Sequence, residues 1–320
     1  MSNSDSYYSK DILGDEFQQK TLGLTDDYEG KVIATLIRRT AQPECSKAVL
    51  YIHGFNDYFF QAEMAKSFNE KGYNFYALDL RKYGRSLLGH QKVHNVRSLR
   101  EYDEEIGLAL KIIRSEGSSK TLLMGHSTGG LIVTNYAGSH RESDLFQAVI
   151  CNSPFFEFNL GDLETKLAIP FLSFLGRLFP DIKIPSRFSR LYGYSIHKDH
   201  YGEWDYSLEW KPHGIPKISL GFIHAVHIAQ KKIQNGLSLE VPVLILHSHA
   251  SHRENEWTGI LKTVDAVLNV DHIRKYAKKL AGEITMTEIE NGMHDLMLSE
   301  KPVRDKVYAK IFQWAEQTLK

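Results

Sequence analysis

Cysteine is almost missing. Cys45 and Cys151 are the two in 320 residues, too few for the disulfide framework on which small secreted domains rely. Cys151 lies in an apolar run and reads as a small buried hydrophobe. An excess of one charge is missing too, since Lys plus Arg and Asp plus Glu both number 39. That balance argues against a nucleic-acid partner and against a general attraction to anionic membranes. No apolar run reaches the roughly 20 residues of a membrane span. Residues 1–14 are polar and carry no apolar signal-peptide core. These absences predict a cytoplasmic protein without a transmembrane segment. Internal repeats and low-complexity tracts are absent as well.

What remains is an ordinary globular composition, 42% hydrophobic and 24% charged. The length suits one α/β domain carrying an insertion. Residues 1–15 read as a loose polar lead-in. Strand-like segments at 17–24 and 31–40, split by Asp26-Asp27-Tyr28-Glu29-Gly30, predict an opening antiparallel hairpin. Residues 48–52 are continuously apolar, as in a strand buried on both faces. A helix is expected over 60–70, a strand over 73–80, a helix over 99–115 and a strand over 145–152. The strand–helix rhythm stops between 153 and 236, a stretch dense in Phe, Tyr and Trp, with helical spacing at 163–178 and 218–233. It resumes with strands at 241–246 and 284–289, a helix near 272–280 and a last helix near 303–319. Alternating strands and helices imply a mostly parallel sheet with helices on both faces. The expected organisation is therefore a core over 1–152, an inserted cap over 153–236, and the rest of the core over 237–320.

One stretch organises the chemistry. The run Thr121-Leu122-Leu123-Met124 leads into Gly125-His126-Ser127-Thr128-Gly129-Gly130, and a helical pattern follows at once through Leu131, Ile132, Val133 and Tyr136. Gly-x-Ser-x-Gly alone is weak, and a tight turn with a capping serine would look the same. A strand before it and a helix after it are the context of a nucleophile elbow, which holds Ser127 in a strained turn flanked by small residues. The Thr128 N–H then sits near the helix N-terminus, aimed where an oxyanion would form.

A serine hydroxyl needs a base and an acid, and in open α/β sheets functional groups gather past the carboxyl ends of strands. His294, in Asn291-Gly292-Met293-His294-Asp295 after the last expected strand, is the candidate base. His126, beside the serine, is expected to point elsewhere on the elbow. For the acid, Asp265 precedes an apolar triplet and a helix, and it is favoured over Asp271, which reads as that helix's N-cap. Glu254 and Glu256 rank behind. A second oxyanion donor is expected in His53-Gly54-Phe55, at the Phe55 N–H. His53, Phe155 and Phe156 are candidate substrate-binding residues. The run His247-x-His249-x-x-His252 lacks a carboxylate at helical spacing, and His224-x-x-His227 reads as pocket lining or surface, so no metal site is expected.

These motifs, together with Asp79-Leu80-Arg81-Lys82-Tyr83-Gly84-Arg85-Ser86, follow one another in a familiar order. The chain resembles the α/β-hydrolase superfamily, in particular its monoglyceride lipase, lysophospholipase and serine-aminopeptidase-like group. Lys82 stands where that group usually has Gly, and a long stretch separates the strand at 241–246 from Asp265. The resemblance implies an α/β-hydrolase fold, mostly parallel with about eight strands, and a triad of Ser127, Asp265 and His294. It implies no cofactor. The expected activity is hydrolysis of a carboxylic ester such as a monoacylglycerol, lysophospholipid or short-chain ester. The aromatic cap argues for an apolar acyl or aryl group, or serves only to pack the cap onto the body. An amidase or aminopeptidase using the same triad is the alternative, with Glu157, Asp162, Glu164, Glu203 and Asp205 available to meet a substrate ammonium. A non-catalytic binding module is the remote third reading.

Overall fold

The computed structural model describes residues 7–319 except 162, 187 and 216. The start of the expected lead-in (1–6) and Asp162 therefore lie outside the described residues. The rest of that lead-in is a short strand, β1 (Ser9–Asp11), paired antiparallel with β2 (Gly14–Gly23). A buried ion pair, Asp11 Oδ2 to Arg85 Nε at 2.7 Å, anchors it. The expected hairpin continues from β2 into β3 (Ile33–Arg39).

Six parallel strands follow: β4 (Lys47–Ile52), β5 (Tyr73–Asp79), β6 (Lys120–His126), β7 (Ala148–Asn152), β10 (Val243–Ser248) and β11 (Ile284–Ile289). The nine-stranded sheet runs β1-β2-β3-β5-β4-β6-β7-β10-β11. The α/β-hydrolase fold expected from sequence is the fold found. Strand order reverses between β4 and β6, so the loops leaving these two strands diverge and open a crevice at their carboxyl ends.

Side-chain alternation splits the core into two layers. On β4, Ala48, Leu50 and Ile52 face α2 (Asp103–Ser115) and α3 (Thr128–Ser139). Val49 and Tyr51 face α1 (Ala62–Glu70) and α8 (Lys301–Thr318). Strand β10 repeats the pattern, Val243 and Ile245 to one side and Leu244 and Leu246 to the other. Each fully buried Leu, Ile or Val contributes about 1.5–3 kcal/mol through removal of apolar surface from water. The two layers fix the sheet and, with it, the loops at its carboxyl edge.

Between β7 and β10 lie α4 (Ile169–Leu178, entered through a π-helical turn at Glu164–Ala168), β8 (Lys183–Pro185), α5 (Arg190–Ile196), β9 (Lys217–Ser219) and α6 (Leu220–Gln234). The two expected helices are α4 and α6, while α5 and the small β8–β9 sheet carried no periodic signal. Helix α6 is shared. Its Leu220 and Ile223 pack with Ile169 of α4, whereas Val226, Ala229 and Ile233 join the main core. Helix α7 (Val270–Ala277) precedes β11, and Asn269 caps it by accepting the Asp271 N–H at 2.9 Å. Asp271 is therefore not the N-cap, because the helix starts at Val270, two residues before its expected start. Among the described residues, no helix is long and apolar enough to cross a membrane.

Lys82 shows how a departure from glycine is accommodated. Its φ is +65°, a left-handed conformation that L-residues adopt at a cost. The buried ammonium meets Asp27 at 2.6 Å, Glu29 at 2.8 Å and the Asn95 carbonyl at 2.8 Å. The turn between β2 and β3 thus compensates the strain.

Candidate active site

Strand β6 ends at His126, and α3 begins at Thr128. Ser127 between them has φ +52° and ψ −114°, the strained turn expected of an elbow. Two glycines make the turn possible. A Cβ on Gly125 would lie 2.3 Å from the Gly129 carbonyl oxygen, and one on Gly129 would lie 2.3 Å from that of Ile52. Neither position admits a side chain without moving backbone. The Ser127 N–H donates to the Asn152 carbonyl at 2.9 Å, and its own carbonyl accepts from Phe155 N–H at 3.0 Å and Leu131 N–H at 3.1 Å. The strained residue is thereby tied to the end of β7.

His294 follows β11 and is 3% exposed. Its Nδ1 lies 2.9 Å from Asp265 Oδ2. The other Asp265 oxygen accepts from the N–H groups of Val267 at 2.9 Å and Leu268 at 2.7 Å. The long stretch after β10 explains itself here. It leaves at Ala250 and returns so that Asp265 bridges Ser251, with Asp265 N–H donating to the Ala250 carbonyl at 2.9 Å. Thus Asp265 is near the end of β10 in space despite its distance in sequence. Asp271 is on the outside of α7, paired with Arg274 at 2.9 Å and 78% exposed at its side chain. Glu254 is held by His252 at 2.8 Å.

Ser127, His294, Phe55, Thr128 and Phe155 line one cavity of about 830 Å³, within the size range of ligand sites. Among the described residues, neither the Phe55 nor the Thr128 N–H has a hydrogen-bond acceptor. The Phe55 ring stacks on Phe222 at 4.3 Å between centroids, which fixes the loop that carries its amide. Gly54 lets that loop approach the elbow, since a Cβ there would stand 3.2 Å from Ser127 Cβ.

Two expected substrate contacts face elsewhere. His53 is turned into the body, where Nε2 accepts the Leu80 N–H at 3.1 Å and Nδ1–H donates to the Gly54 carbonyl at 2.8 Å. Phe156 is in the main core, and its carbonyl accepts from Gln234 at 3.1 Å. Conversely, His126 does not point away. It lines the cavity with its ring 4.9 Å from that of His294. Sequence also gave no sign of Asp57 and Lys211, which form a buried ion pair at 2.8 Å in the cavity wall. Burial opposes the Asp57 charge, but Lys211 and then His126 outweigh it and hold the carboxyl well below the usual range. Only an Asp three residues past Gly54 and one lysine 154 residues away would have had to be matched.

The histidines at 247, 249 and 252 do not converge. His247 Nδ1 meets the Ser248 carbonyl, His249 Nδ1 accepts the Asn291 N–H, and His252 meets Glu254. Among the described residues, Asp57, His126 and Asp295 are the one group of three donor side chains close enough to share a cation. Lys211 already neutralises part of its charge.

Several histidines here are kept neutral. Burial lowers the pKa of His53 and His247. Burial, then the nearby His53 and Lys183, push His94 down to about 3. His94 sits between the rings of Phe55 and Tyr83, 4.6 Å from each. A histidine whose folded pKa lies below its unfolded value of about 6.5 leaves stability intact above that pH and removes it as pH falls toward the folded value. We expect the urea midpoint to fall between pH 7.5 and pH 5, with His94 alone contributing about 1–2 kcal/mol after allowance for its partial exposure. His94→Gln should flatten the profile. An unchanged midpoint over that range would contradict the neutral burial of these rings.

No curated protein matches the chain by sequence. Solved structures match in fold. A soluble variant of monoglyceride lipase from Saccharomyces cerevisiae, in complex with a substrate analog, superposes with a TM-score of 0.71 at 16% identity over 98% of this chain and 99% of that one. Monoacylglycerol lipase from Paleococcus ferrophilus gives 0.62 at 17% identity over 93% and 98%. Est1E from Butyrivibrio proteoclasticus, with ferulic acid bound, gives 0.58 at 16% over 93% and 99%. The family described as Hydrolase_4, serine aminopeptidase S33, matches residues 43–301. By that match and by its fold, the chain is a hydrolase of the serine aminopeptidase S33 family, within the α/β hydrolases.

Proposed function

We propose that this hydrolase cleaves carboxylic esters with an apolar acyl or aryl group, through Ser127, His294 and Asp265. The observation that carries the reading is the buried 2.9 Å contact of His294 Nδ1 with Asp265 Oδ2, on a ring that lines the same cavity as Ser127. An aspartate at Nδ1 keeps the proton there and leaves Nε2 as the base. Ser127 Oγ attacks the carbonyl carbon while His294 Nε2 takes its proton. The N–H groups of Phe55 and Thr128 bind the oxyanion. His294 then gives the proton to the leaving alkoxide, and the alcohol departs. Water, deprotonated by the same nitrogen, releases the acid from the acyl-enzyme.

The cavity wall supports an apolar acyl group, with Phe155, Phe158, Ile169, Leu172, Ile184 and Leu191 on it. The Saccharomyces cerevisiae and Paleococcus ferrophilus neighbours are a monoglyceride lipase and a monoacylglycerol lipase, and Est1E holds ferulic acid. The aminopeptidase reading finds less support. Glu157 is held in the body by Tyr276, Glu203 pairs with Arg304, and Asp205 pairs with Lys198. Among the described acids named for that role, Glu164 alone lines the cavity.

A p-nitrophenyl ester series from acetate to palmitate tests the reading. Each buried methylene is worth about 0.8 kcal/mol, so kcat/KM should rise at least about 100-fold from acetate to octanoate. A profile flat in chain length would reject the apolar acyl site. Turnover of aminoacyl p-nitroanilides with every ester ignored would favour the peptidase.

A further inference from the structure

The loop that carries the Phe55 amide has little backbone pairing to hold it. Among the described residues, no backbone–backbone hydrogen bond involves residues 55–59. Asn56, directly after the amide's own residue, has φ +54°. Asparagine tolerates this left-handed conformation better than most residues, but still at a cost. Such a turn persists only where its surroundings over-determine it. From the body, Asp79 accepts the Phe59 N–H at 2.8 Å and Arg85 donates to the Phe59 carbonyl at 3.0 Å. Both contacts are at the far end of the loop.

The near end is held from the segment between β7 and β10. The Phe55 ring touches Phe222 and Phe188 there, at 4.3 and 5.5 Å between centroids, as well as His94. Asn56 Nδ2 donates to the Pro212 carbonyl at 2.7 Å. Lys211 Nζ donates to Asp57 Oδ1 at 2.8 Å, and the same oxygen accepts the Tyr58 N–H at 3.0 Å. The Ser207 N–H donates to Tyr58 Oη at 2.7 Å. Three consecutive residues, 56 to 58, are thus each bonded by the stretch 207–212. Asp57 is 1% exposed and Lys211 8%. A buried ion pair is a poor device for stability, because desolvating two charges offsets most of their attraction, but it does hold a geometry.

We infer that the Asn56–Pro212 and Asp57–Lys211 contacts position the oxyanion donor, with Lys211 acting through Asp57 to keep the Phe55 N–H where the oxyanion forms. That Phe55 is a donor rests on the esterase reading. That Lys211 and Pro212 hold its loop does not.

The test compares two variants of the full chain with wild type, by hydrogen–deuterium exchange and by kinetics on p-nitrophenyl octanoate. Removing Lys211 alone would leave a buried, unpaired Asp57 charge, so the pair is removed together as D57N/K211M. The Tyr58 and Phe59 amides, both hydrogen-bonded in wild type, should then exchange at least about tenfold faster with circular dichroism unchanged. Loss of a whole oxyanion donor costs about 100- to 1,000-fold in kcat, and a loosened one should cost about 30-fold, with KM moving less than about threefold. The second variant, N56G, gives the left-handed turn to a residue that adopts it freely and removes only the bond to Pro212. Its exchange should rise in the same way, and kcat should fall about tenfold. An alkyl trifluoromethyl ketone reads the donor directly. Ser127 Oγ adds to its carbonyl carbon, the hydroxyl proton passes to His294, and the carbonyl oxygen becomes an oxyanion. Its affinity should fall with kcat, while that of the corresponding alcohol, which forms no oxyanion, should stay. Exchange unchanged in both variants overturns the inference, and so does a kcat within about twofold of wild type in both. A loss confined to KM would set Lys211 against the substrate instead, which also overturns it. If D57N/K211M does not fold, N56G decides by the same readouts. Should wild type hydrolyse no ester, exchange still decides whether these contacts hold the loop, and the esterase reading alone falls.

Discussion

Ser127→Ala should abolish ester turnover, with kcat falling by about a million-fold toward the rate left by binding and oxyanion contacts. The magnitude follows from the role proposed for the hydroxyl. Without Oγ there is no acyl-enzyme, and His294 has no nucleophile to deprotonate. The variant should fold, because nothing that holds the elbow passes through the side chain. The Ser127 N–H donates to Asn152, its carbonyl receives Phe155 and Leu131, and Ala tolerates the positive φ no worse than Ser does. We expect a urea midpoint equivalent to within about 0.5 kcal/mol of wild type. Fluorophosphonate labelling should vanish in parallel. Steady-state kinetics in the ester series read the effect directly. A variant that retains turnover within tenfold of wild type, in a preparation free of other esterases, would remove Ser127 from the mechanism.

How much of this was legible in the sequence depends on where each residue's partners are. The elbow was legible because its causes are local. Gly125 and Gly129 are demanded by backbone approaches within a few residues or to the neighbouring strand, and an apolar run before them and a helical pattern after them are one-dimensional signals. The parallel strands and the main helices were legible for the same reason, as short continuous apolar runs alternating with segments of period 3.6. The region between β7 and β10 was not. Helix α5 has 7 residues and β8 and β9 have 3 each, too short for either signal to emerge. What fixes them is tertiary, such as the meeting of Gly193 with His213, where a Cβ would come within 2.8 Å. His53 and Phe156 illustrate the same limit at the site. Phe156 adjoins cavity-lining Phe155 and His53 stands two residues before cavity-lining Phe55, yet tertiary contacts turn both side chains into the body. His126, Asp57 and Lys211 come from three separate segments, and no spacing rule relates them.

Asp265→Asn against Asp271→Asn is the sharpest test of the acid. Asp265→Asn should lower kcat by about 10⁴-fold with KM nearly unchanged. The geometry explains why an isosteric change should cost so much. One carboxylate oxygen accepts two backbone N–H groups, from Val267 and Leu268. The asparagine oxygen must stay there, since an amide NH₂ would face two donors. The NH₂ is then turned to His294 Nδ1, which can only accept. The imidazole proton moves to Nε2, and the nitrogen facing Ser127 becomes a donor where a base is needed. The substitution thus inverts the tautomer while leaving the shape of the site in place, and the melting temperature should change little. Asp271→Asn touches only an exposed pair with Arg274, worth a few tenths of a kcal/mol, and should leave kcat within twofold. The two aspartates are six residues apart in sequence, so composition and local pattern hardly separate them. What separates them is the return of the chain to Ala250 and Ser251, which carries one carboxylate under the sheet edge and leaves the other in solvent. Inactivation by Asp271→Asn, or survival of activity in Asp265→Asn, would mean that the buried 2.9 Å contact serves only to hold the loop.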